Sequence, residues 1–375
     1  MKLFEYQAKD LFKDNGIPVP YSICIMSPRE AEAALEAVGL PCVLKCQVLS
    51  GGRGKAGLVK LVKEKEEAIQ LTKEYFERIK NLRAVLIETA VDAAREIYLS
   101  IGMDPVSGKA LLMGCAQGGV EIERLALNNP EAIKRTNIDL NKGLQPYQIS
   151  DFAYTLGFRG EELKKASGVI SALYSVFIQT DAELAEINPL FVRDDGEMFA
   201  GDAKLSIDDN SMFRQKAYEK DRSCYESDMA FEAAKEGIPY LEFDGDISLM
   251  CAGAGLANTV YDLVNFEGGK VANYLEFGGP NYMKAGTAMR LCLANKPKVV
   301  LIVTFGTIAR ADIMAEGIVQ AIKDLQPDCP VIACLRGTGE ERVEEIFSPV
   351  SLQRYTDTEE AVRAAVAFSR GKDKA

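Results

Sequence analysis

Residues 183–207 read ELAEINPLFVRDDGEMFAGDAKLSI and predict two short antiparallel strands joined by a polar turn. Leu184 to Val192 is mostly apolar, a turn with an Asp-Gly pair follows, and a second apolar run leads back. A three-residue loop centred on Asp195 would place Asn188 directly opposite Asp202. Cross-strand neighbours lie roughly 5 Å apart at Cβ, so these two side chains would share one face of the hairpin.

Asn188 and Asp202 would offer one amide oxygen and one carboxylate to a single hard cation. Mg²⁺ suits this pair, because it takes only one or two protein oxygens beside substrate phosphates and keeps several waters. An ordinary hairpin with a polar face explains the same stretch, since an Asp-Gly turn between apolar runs is a common hairpin signal. The choice between these interpretations depends on the rest of the chain.

Composition bounds the class of protein. The chain has 375 residues, enough for two or three domains of roughly 150 residues each. A hydrophobic content of 47% supports real cores and excludes a disordered chain. The net charge of −11 argues against a nucleic-acid partner, because phosphate backbones require a basic face.

No feature of the sequence indicates secretion or membrane insertion. The stretch MKLFEYQAKDLFKDNG at the start lacks the apolar core of a signal peptide, and no run reaches about 18 apolar residues. The nine cysteines contain no CxxC pair, which indicates reduced thiols. We therefore expect a cytoplasmic protein without membrane contact.

The chain contains no histidine. The commonest general base and the commonest metal ligand of proteins are therefore both missing. A mechanism that needs an imidazole must take it from another polypeptide.

A glycine-rich loop follows the predicted strand at Val43 to Val48 and reads SGGRGKAG. Glycines let a backbone approach a polyphosphate and point N–H groups at it, and Arg53 adds positive charge. Lys45 would reach the phosphates from the strand. The Walker pattern is absent and Leu58 to Val62 looks like a second strand, so we predict β-turn-β phosphate binding. A flexible basic surface loop is the alternative.

A third stretch, residues 88–96, ends one predicted strand and begins the next. Such a segment can run past a purine base, and the carboxylate of Glu88 or Glu96 could then accept hydrogen bonds from the ribose hydroxyls. A strand end with solvated charges explains the same residues equally simply.

After Tyr240 the pattern changes to apolar runs that alternate with helical patterns. This alternation predicts a parallel sheet with helices on both faces. Small-residue loops follow three of the runs, at Ala252-Gly253, Gly278-Gly279 and 306–309. Ligands collect at the carboxyl ends of parallel strands, so these loops indicate a site where an anion meets helix N-termini. Turns that merely connect strands to helices are the alternative.

Several motifs, in one order, resemble the β subunit of succinyl-CoA synthetase (succinate–CoA ligase) over nearly the whole chain. They are EYQAKDLF at 5–12, LKCQVLSGGRGKAG at 44–57, GGVEIE at 118–123, EINPL at 186–190, GDAKL at 201–205, FRQ at 213–215, GAGLA at 253–257 and RADIMAEGI at 310–318. Independent motifs in a shared order are more specific than any one of them.

The resemblance implies an α/β and α+β chain, with an N-terminal ATP-grasp fold followed by a flavodoxin-like, CoA-ligase type domain with a parallel sheet. We expect the nucleotide-binding domain at 1–225, a linker at 226–242 and the second domain at 243–375. The implied partner is an α subunit that binds most of CoA and carries the phosphorylated histidine, and the implied cofactors are Mg²⁺ and ATP or GTP.

The resemblance also assigns roles to residues of this chain, and it implies no catalytic residue here because the phosphorylated histidine lies on the partner. The nucleotide would be held by Lys45, Gly52, Arg53, Gly54, Glu88, Val91 and Glu96. Asn188 and Asp202 would hold Mg²⁺, and the acid would meet Ala252, Thr307, Ile308 and Ala309.

The acid-binding half departs from the family pattern, which normally has Asn where this chain has Ala252. Alanine cannot bond a substrate carboxylate, and a site that loses such a bond rejects its substrate by up to about four orders of magnitude. We therefore expect a nucleotide-dependent acid–CoA ligase subunit whose acid is succinate, as in the tricarboxylic acid cycle, or a different acid. A nucleotide-binding subunit with a degenerate acid site is the third hypothesis.

Overall fold

The structure is a computed structural model that describes residues 1–49, 52–54, 56–79, 81–119, 122–218, 222–225, 227–278, 283–306 and 309–371. The chain divides into two compact units, Met1–Cys224 and Tyr225–Ala375. Two residues predicted to meet the acid, Thr307 and Ile308, lie outside the described residues, as does Gly279 of the predicted loop.

The first unit mixes helices with antiparallel strands. Its described helices are α1 (Glu5–Asp14), α2 (Ala31–Val38), α3 (Lys65–Arg78), α4 (Ile122–Asn128), α5 (Pro146–Thr155) and α6 (Gly160–Gln179). Its described strands are β1 (Ser22–Ile25), β2 (Cys42–Gln47), β3 (Val59–Val62), β4 (Ala84–Thr89), β5 (Arg95–Asp104), β6 (Lys109–Cys115), β7 (Lys134–Ile138), β8 (Ala182–Val192), β9 (Met198–Ala200) and β10 (Lys204–Ile207).

These strands form two sheets. The small sheet has the order β1-β4-β2-β3 and packs against α2 and α3. The large sheet has the order β10-β8-β5-β6-β7, with β9 also paired to β8, and packs against α1, α5 and α6. Helix α6 supplies the apolar stripe for this core, since its buried residues recur at intervals of three and four: Ala166, Val169, Ile170, Leu173, Val176 and Phe177.

The hairpin predicted from residues 183–207 is present. The N–H of Arg193 donates to the carbonyl of Glu197 at 2.9 Å, which closes a three-residue loop centred on Asp195. Leu190 pairs with Ala200 in β9, and Glu186 pairs with Lys204 in β10. The returning strand is interrupted at 201–203, between β9 and β10.

The second unit is a layered α/β structure. Its described helices are α7 (Asp228–Lys235), α8 (Ala254–Phe266), α9 (Ala285–Ala294), α10 (Ala311–Leu325), α11 (Val343–Phe347) and α12 (Thr358–Ser369). Its described strands are β11 (Tyr240–Glu242), β12 (Ile247–Ala252), β13 (Val271–Leu275), β14 (Val299–Gly306), β15 (Val331–Gly337) and β16 (Arg354–Tyr355).

The sheet order is β11-β13-β12-β14-β15-β16, and all pairs are parallel except β11 with β13. Taken from β12, this is the order 2-1-3-4-5 of flavodoxin-like sheets, which reverses between β12 and β14. Strand β14 is apolar on both faces because helices cover both: Val300 and Ile302 pack toward α9 and α10, while Leu301 packs toward α8 and α12.

Some elements differ from the prediction. The stretch predicted to be a linker, residues 226–242, instead holds α7 and the edge strand β11, which pairs with β13. The helix α7 was not predicted because its sequence is charged and only weakly periodic. This weak pattern reflects how little of α7 is buried, since Ala233 is its one buried residue among those described. The apolar run predicted as a strand at Val350 to Tyr355 is a strand only at its end, in β16.

Among the described residues, none of the helices combines the length and the hydrophobicity that crossing a bilayer requires.

The same Gly→Ala change should have opposite effects at two positions of the first unit. Gly168 is exposed on α6 with open space around a new Cβ, so Gly168→Ala should raise the free energy of unfolding by about 0.5–1 kcal/mol. At Gly114 a Cβ would lie 2.9 Å from Cε1 of Phe152, so Gly114→Ala should lower it by about 1–3 kcal/mol. Urea unfolding of both variants tests the packing of α5 on β6; equal effects would contradict it.

Candidate functional site

Three of the predicted nucleotide residues, Lys45, Arg53 and Glu88, belong to a group of charged side chains in the first unit, which we call the buried charge cluster. It consists of three cations and three anions: Lys9, Lys45, Arg53, Glu5, Glu88 and Asp202. Helix α1, the small sheet, the glycine-rich loop and the hairpin each contribute to it. The formal charges balance, which is what the cost of burying ions in a protein demands.

Lys45 lies at the centre of the buried charge cluster. Its ammonium is 2.9 Å from Oε1 of Glu5 and 2.7 Å from Oε1 of Glu88, and it also donates to the carbonyl of Gly201. Burial lowers the pKa of Lys45, but the carboxylates of Glu5, Glu88 and Asp202 outweigh burial and raise it. Lys45 is therefore held as a cation.

Glu5 contacts all three cations of the cluster. Its Oε1 lies 2.9 Å from Lys45 and 3.0 Å from Lys9, and its Oε2 lies 2.6 Å from Arg53. Burial raises the pKa of Glu5, yet the positive charges of Lys45, Lys9 and Arg53 together hold it well below its usual value. Glu5 is thus the anion that fixes two predicted phosphate-binding cations in place.

The glycine-rich loop connects β2 to β3 through consecutive turns. Ala56 N–H donates to the carbonyl of Gly52 at 3.1 Å, and Leu58 N–H donates to the carbonyl of Arg53 at 2.9 Å. Gly52 has a φ of +74°, which favours glycine, and a Cβ at Gly52 or Gly54 would meet no atom within 4 Å. The loop therefore has the predicted β-turn-β form, with open space beside it.

The two predicted metal ligands occupy facing positions in the hairpin. The pairs Leu190 with Ala200 and Glu186 with Lys204 have the same register on either side of the interruption, and this register sets Asn188 against Asp202. In this structure Oδ1 of Asn188 accepts from the N–H of Gly119 at 2.9 Å.

One carboxylate oxygen of Asp202 also accepts hydrogen bonds within the protein. Its Oδ1 accepts from Nη2 of Arg53 and from the N–H of Ala203, each at 2.8 Å. Burial raises the pKa of Asp202, and the carboxylate of Glu5 adds to this effect. One carboxylate and one amide suit Mg²⁺ beside phosphates, because this ion needs only one or two protein oxygens there. Among the described residues, no group of three or more Asp, Glu, His or Cys side chains could hold a metal ion by itself.

The predicted nucleotide residues Glu96, Glu88 and Val91 lie in three different places. Glu96 lies near Asn188: its carboxylate packs on Gly119, where a Cβ would come within 2.1 Å of Oε2. The carboxylate of Glu88, by contrast, forms ion pairs with Lys9 and Lys45. Glu88 therefore does not have the position expected of a residue that accepts hydrogen bonds from ribose hydroxyls. Half-buried Val91 lies on the connection from β4 to β5, which joins the two sheets.

Sequence reasoning overlooked three residues of this site. Glu5 and Lys9 lie one turn apart on the face of α1 that also buries Ala8 and Phe12, and charges on an apolar stripe were the available signal. Glu186 shares a strand face with Asn188, lies 3.3 Å from the hydroxyl of Tyr98 and has its pKa raised by burial. No local signal distinguished Glu186 from an ordinary strand residue.

In the second unit, the two described residues predicted to meet the acid, Ala252 and Ala309, lie at the carboxyl ends of β12 and β14. Ala252 ends β12 beside Thr304 of β14, and Gly253 follows with a φ of +103° at the start of α8. A Cβ at Gly306 would lie 1.8 Å from the carbonyl oxygen of Ala309, so the backbone of Ala309 packs directly on Gly306. Ala252 and Ala309 thus lie at the point where the strand order reverses.

An ion-pair group fixes the start of α10 next to this edge. The carboxylate of Asp312 accepts from Nε and Nη2 of Arg310 at 3.0 and 2.8 Å, and from Nη1 of Arg342 at 3.0 Å. The hydrogen bond from Arg310 is the largest influence, and the pKa of Asp312 falls to about 2.

Comparisons with known proteins agree with this architecture. An ATP-grasp domain family matches residues 2–192, and a CoA-ligase family matches residues 250–368. The sulfoacetate–CoA ligase (ADP-forming) subunit SauC of Bilophila wadsworthia is 53% identical over 99% of this chain and 100% of its own length. The chain belongs to the ADP-forming acid–CoA ligase family. The predicted fold class is confirmed, and the resemblance to β-type subunits holds at the level of this family.

Further relatives of this ligase chain fall into two groups. The sulfoacetate–CoA ligase subunit SqwK of Acholeplasma sp is 51% identical, over 100% of this chain and 93% of its own length. The β subunit of succinate–CoA ligase from Ignicoccus hospitalis is 37% identical, over 99% of this chain and 100% of its own. ATP citrate lyase from Methanothrix soehngenii shares the fold, with a TM-score of 0.74 at 20% identity over 97% of this chain and 98% of its own.

Removing the central anion of the cluster should destabilise the first unit. Glu5→Gln leaves the three cations of the cluster with two anions, so one positive charge is uncompensated and the free energy of unfolding should fall by about 3 kcal/mol or more. The control Glu36→Gln removes an exposed partner of Lys65 and should change it by less than about 0.5 kcal/mol. Urea unfolding measures both, and similar small losses would show that the cluster is not structural.

The Asp312 group should make the second unit sensitive to acid. Since folding lowers the pKa of this carboxyl to about 2, its contribution to stability is complete above the unfolded value of about 3.9 and is lost as the pH falls through about 2. Asp312→Asn should remove this loss and lower stability at neutral pH, while Asp262→Asn on the exposed face of α8 should keep the wild-type pH profile. Urea unfolding between these pH values and neutrality measures the difference.

Proposed function

We propose that this chain is the nucleotide-binding β-type subunit of an ADP-forming ligase that joins CoA to a small sulfonate-bearing carboxylic acid, with sulfoacetate as the first candidate. The observation that carries the acid is the full-length similarity of 53% and 51% to two sulfoacetate–CoA ligase subunits, against 37% to a succinate–CoA ligase subunit. Ala252 weakens the alternative of succinate, because this position offers no amide to the second carboxylate of that acid.

The buried charge cluster would bind the triphosphate of ATP. Lys45 and Arg53 supply fixed cations, and the backbone of Gly52 and Gly54 lies beside open space where phosphates fit. Glu96 would accept from the ribose hydroxyls, and Val91 would pack on the base. Glu88 would act indirectly, since its carboxylate holds Lys45. ATP is favoured over GTP by the ADP-forming relatives.

Asn188 and Asp202 would hold Mg²⁺ beneath the phosphates. Facing positions in one hairpin and oxygen donors of the hard kind support this assignment. When bound, the ion neutralises charge on the phosphates. Glu186 lies two positions before Asn188 and would orient the incoming phosphoryl acceptor.

The acceptor would be a histidine of a partner α subunit, because this chain has none. An imidazole nitrogen bonds to the γ-phosphorus as the bond to ADP breaks. The carboxylate of the acid then attacks that phosphorus, which frees the imidazole and forms an acyl phosphate. The thiolate of CoA, held mainly by the partner, attacks the acyl carbon, and phosphate leaves.

The acid would bind where the sheet of the second unit reverses. The N-termini of α8 and α10 carry partial positive charge there, and the loops of Ala252 and Ala309 are made of small residues. A sulfonate suits this site because its three oxygens accept hydrogen bonds in several directions. Succinate is the second candidate, favoured by the full-length relative at 37% identity.

The assignment predicts that activity requires two chains. The purified chain alone should bind Mg-ATP but form no acyl-CoA, and co-purification with its α subunit should restore CoA-dependent ADP formation. In a screen of acetate, succinate and sulfoacetate, sulfoacetate should give the highest kcat/KM. Turnover by the isolated chain, or a clear preference for succinate, would contradict the proposal.

Asp202→Asn should remove one of the two proposed metal ligands. We expect kcat/KM for ATP to fall by roughly a hundredfold or more, because a charge placed at the phosphates is lost. Calorimetric titration of the isolated chain should show weaker Mg-ATP binding, whereas metal-free ATP should bind no more weakly than to wild type, because the substitution also releases Arg53 from a carboxylate. Asp195→Asn, an exposed change in the turn of the same hairpin, is the matched control and should behave as wild type.

A further inference from the structure

The hydroxyl of Thr304 is buried and has no hydrogen-bond partner. Among the side chains that the structure describes, only Oδ1 of Asn273 shares this condition. Asn273 is still anchored, since its amide nitrogen donates to the carbonyl of Leu249 at 3.0 Å. Thr304 has one polar side-chain atom, and no described residue forms a hydrogen bond with it.

Unpartnered buried polar atoms are rare because they lose their hydrogen bonds to water and receive none in return. A β-branched apolar residue of the same shape, such as valine, would fill the position without this cost. The presence of threonine therefore points to a group that the hydroxyl meets when the protein acts.

The register of the sheet places this hydroxyl at the proposed acid site. Thr304 is the direct parallel neighbour of Ala252, at the ends of β14 and β12. It shares a strand face with Val300 and Ile302, which pack toward α9 and α10. The hydroxyl therefore lies on the α10 side of the sheet, two residues before the end of β14 and beside Ala252.

Glycines bring the surrounding backbone close to this point. A Cβ at Gly278 would lie 2.8 Å from the backbone nitrogen of Gly253, so the loop after β13 packs directly on the loop after β12. The carbonyl of Gly306 accepts from the N–H of Thr338 at 2.9 Å, which ties the end of β14 to the residue that follows β15. These close contacts keep bulk water from the hydroxyl of Thr304.

We propose that Thr304 is a specificity-determining residue whose hydroxyl donates a hydrogen bond to the sulfonate of the acid. This inference rests on the proposed function of the second unit. A sulfonate remains ionised and offers three equivalent acceptor oxygens. Of the paired residues Ala252 and Thr304, only Thr304 has a side-chain donor. In a buried site such a charge-assisted bond is strong.

The test compares Thr304→Val with Thr304→Ser in the complex with the α subunit. Valine keeps the shape and removes the donor, whereas serine keeps the donor. We expect Thr304→Val to raise KM for sulfoacetate by about tenfold or more, since a hydrogen bond to a charged group is lost. Values of kcat and of KM for ATP and CoA should stay within about twofold, and Thr304→Ser should recover most of the sulfoacetate KM.

Thr72→Val is the matched control. Thr72 is also fully buried, but its hydroxyl donates to the carbonyl of Ala68 in α3 of the first unit. The same loss of a hydroxyl there should leave KM for all three substrates unchanged. A general effect of replacing buried threonine would shift both variants together and would overturn the inference.

The outcomes separate this inference from the function on which it rests. If the wild-type complex uses sulfoacetate and Thr304→Val keeps the same KM, the role of Thr304 is wrong and the function stands. If Thr304→Val lowers kcat alone, the hydroxyl serves the phosphoryl group and the inference is again overturned. If the wild-type complex turns over no sulfoacetate, the proposed function is overturned and the inference with it.

Discussion

The first unit depends on the balance of charge around Lys45. Lys9, Lys45, Glu5 and Glu88 are buried, Arg53 is nearly so and Asp202 lies at the exposed edge of the cluster. The buried ions are tolerable only because their opposites lie within hydrogen-bond distance. Under the proposed function, the same balance would prepare the unit for a polyanion, because Lys45 and Arg53 are held charged and in place by their carboxylate partners. Preorganised charge of this kind is the main means by which proteins assist phosphoryl transfer.

The second unit handles charge differently. Its proposed acid site uses helix N-termini, backbone groups and one hydroxyl, and its ion pairs at Asp312 serve to fix the start of α10. Alanine at 252 removes an amide from this edge and leaves a small apolar surface there.

The hairpin, the β-turn-β loop and the parallel sheet of the second unit could be predicted because their signals are local: turn residues, glycines and alternating periods. The flavodoxin-like form of that sheet was predicted only from the family resemblance. The cluster around Glu5 and Lys9 could not, since its partners lie on β2 and β4 far along the chain. Helices α4, α5 and α12 were missed, and α7 was hidden in a supposed linker. The unpaired state of Thr304 depends on its neighbours in three dimensions, so no sequence pattern could reveal it.

The carbonyl of Gly201 has a mechanical consequence. It accepts from Lys9 and from Lys45, and so it fastens the large sheet to a side chain of the small one. Any ligand that competes for Lys45 weakens this fastening, and by reciprocity a change in the angle between the sheets alters the affinity for that ligand. Separation of the two sheets and release of a ligand from Lys45 are then parts of one equilibrium, in which the carbonyl oxygen of Gly201 takes part.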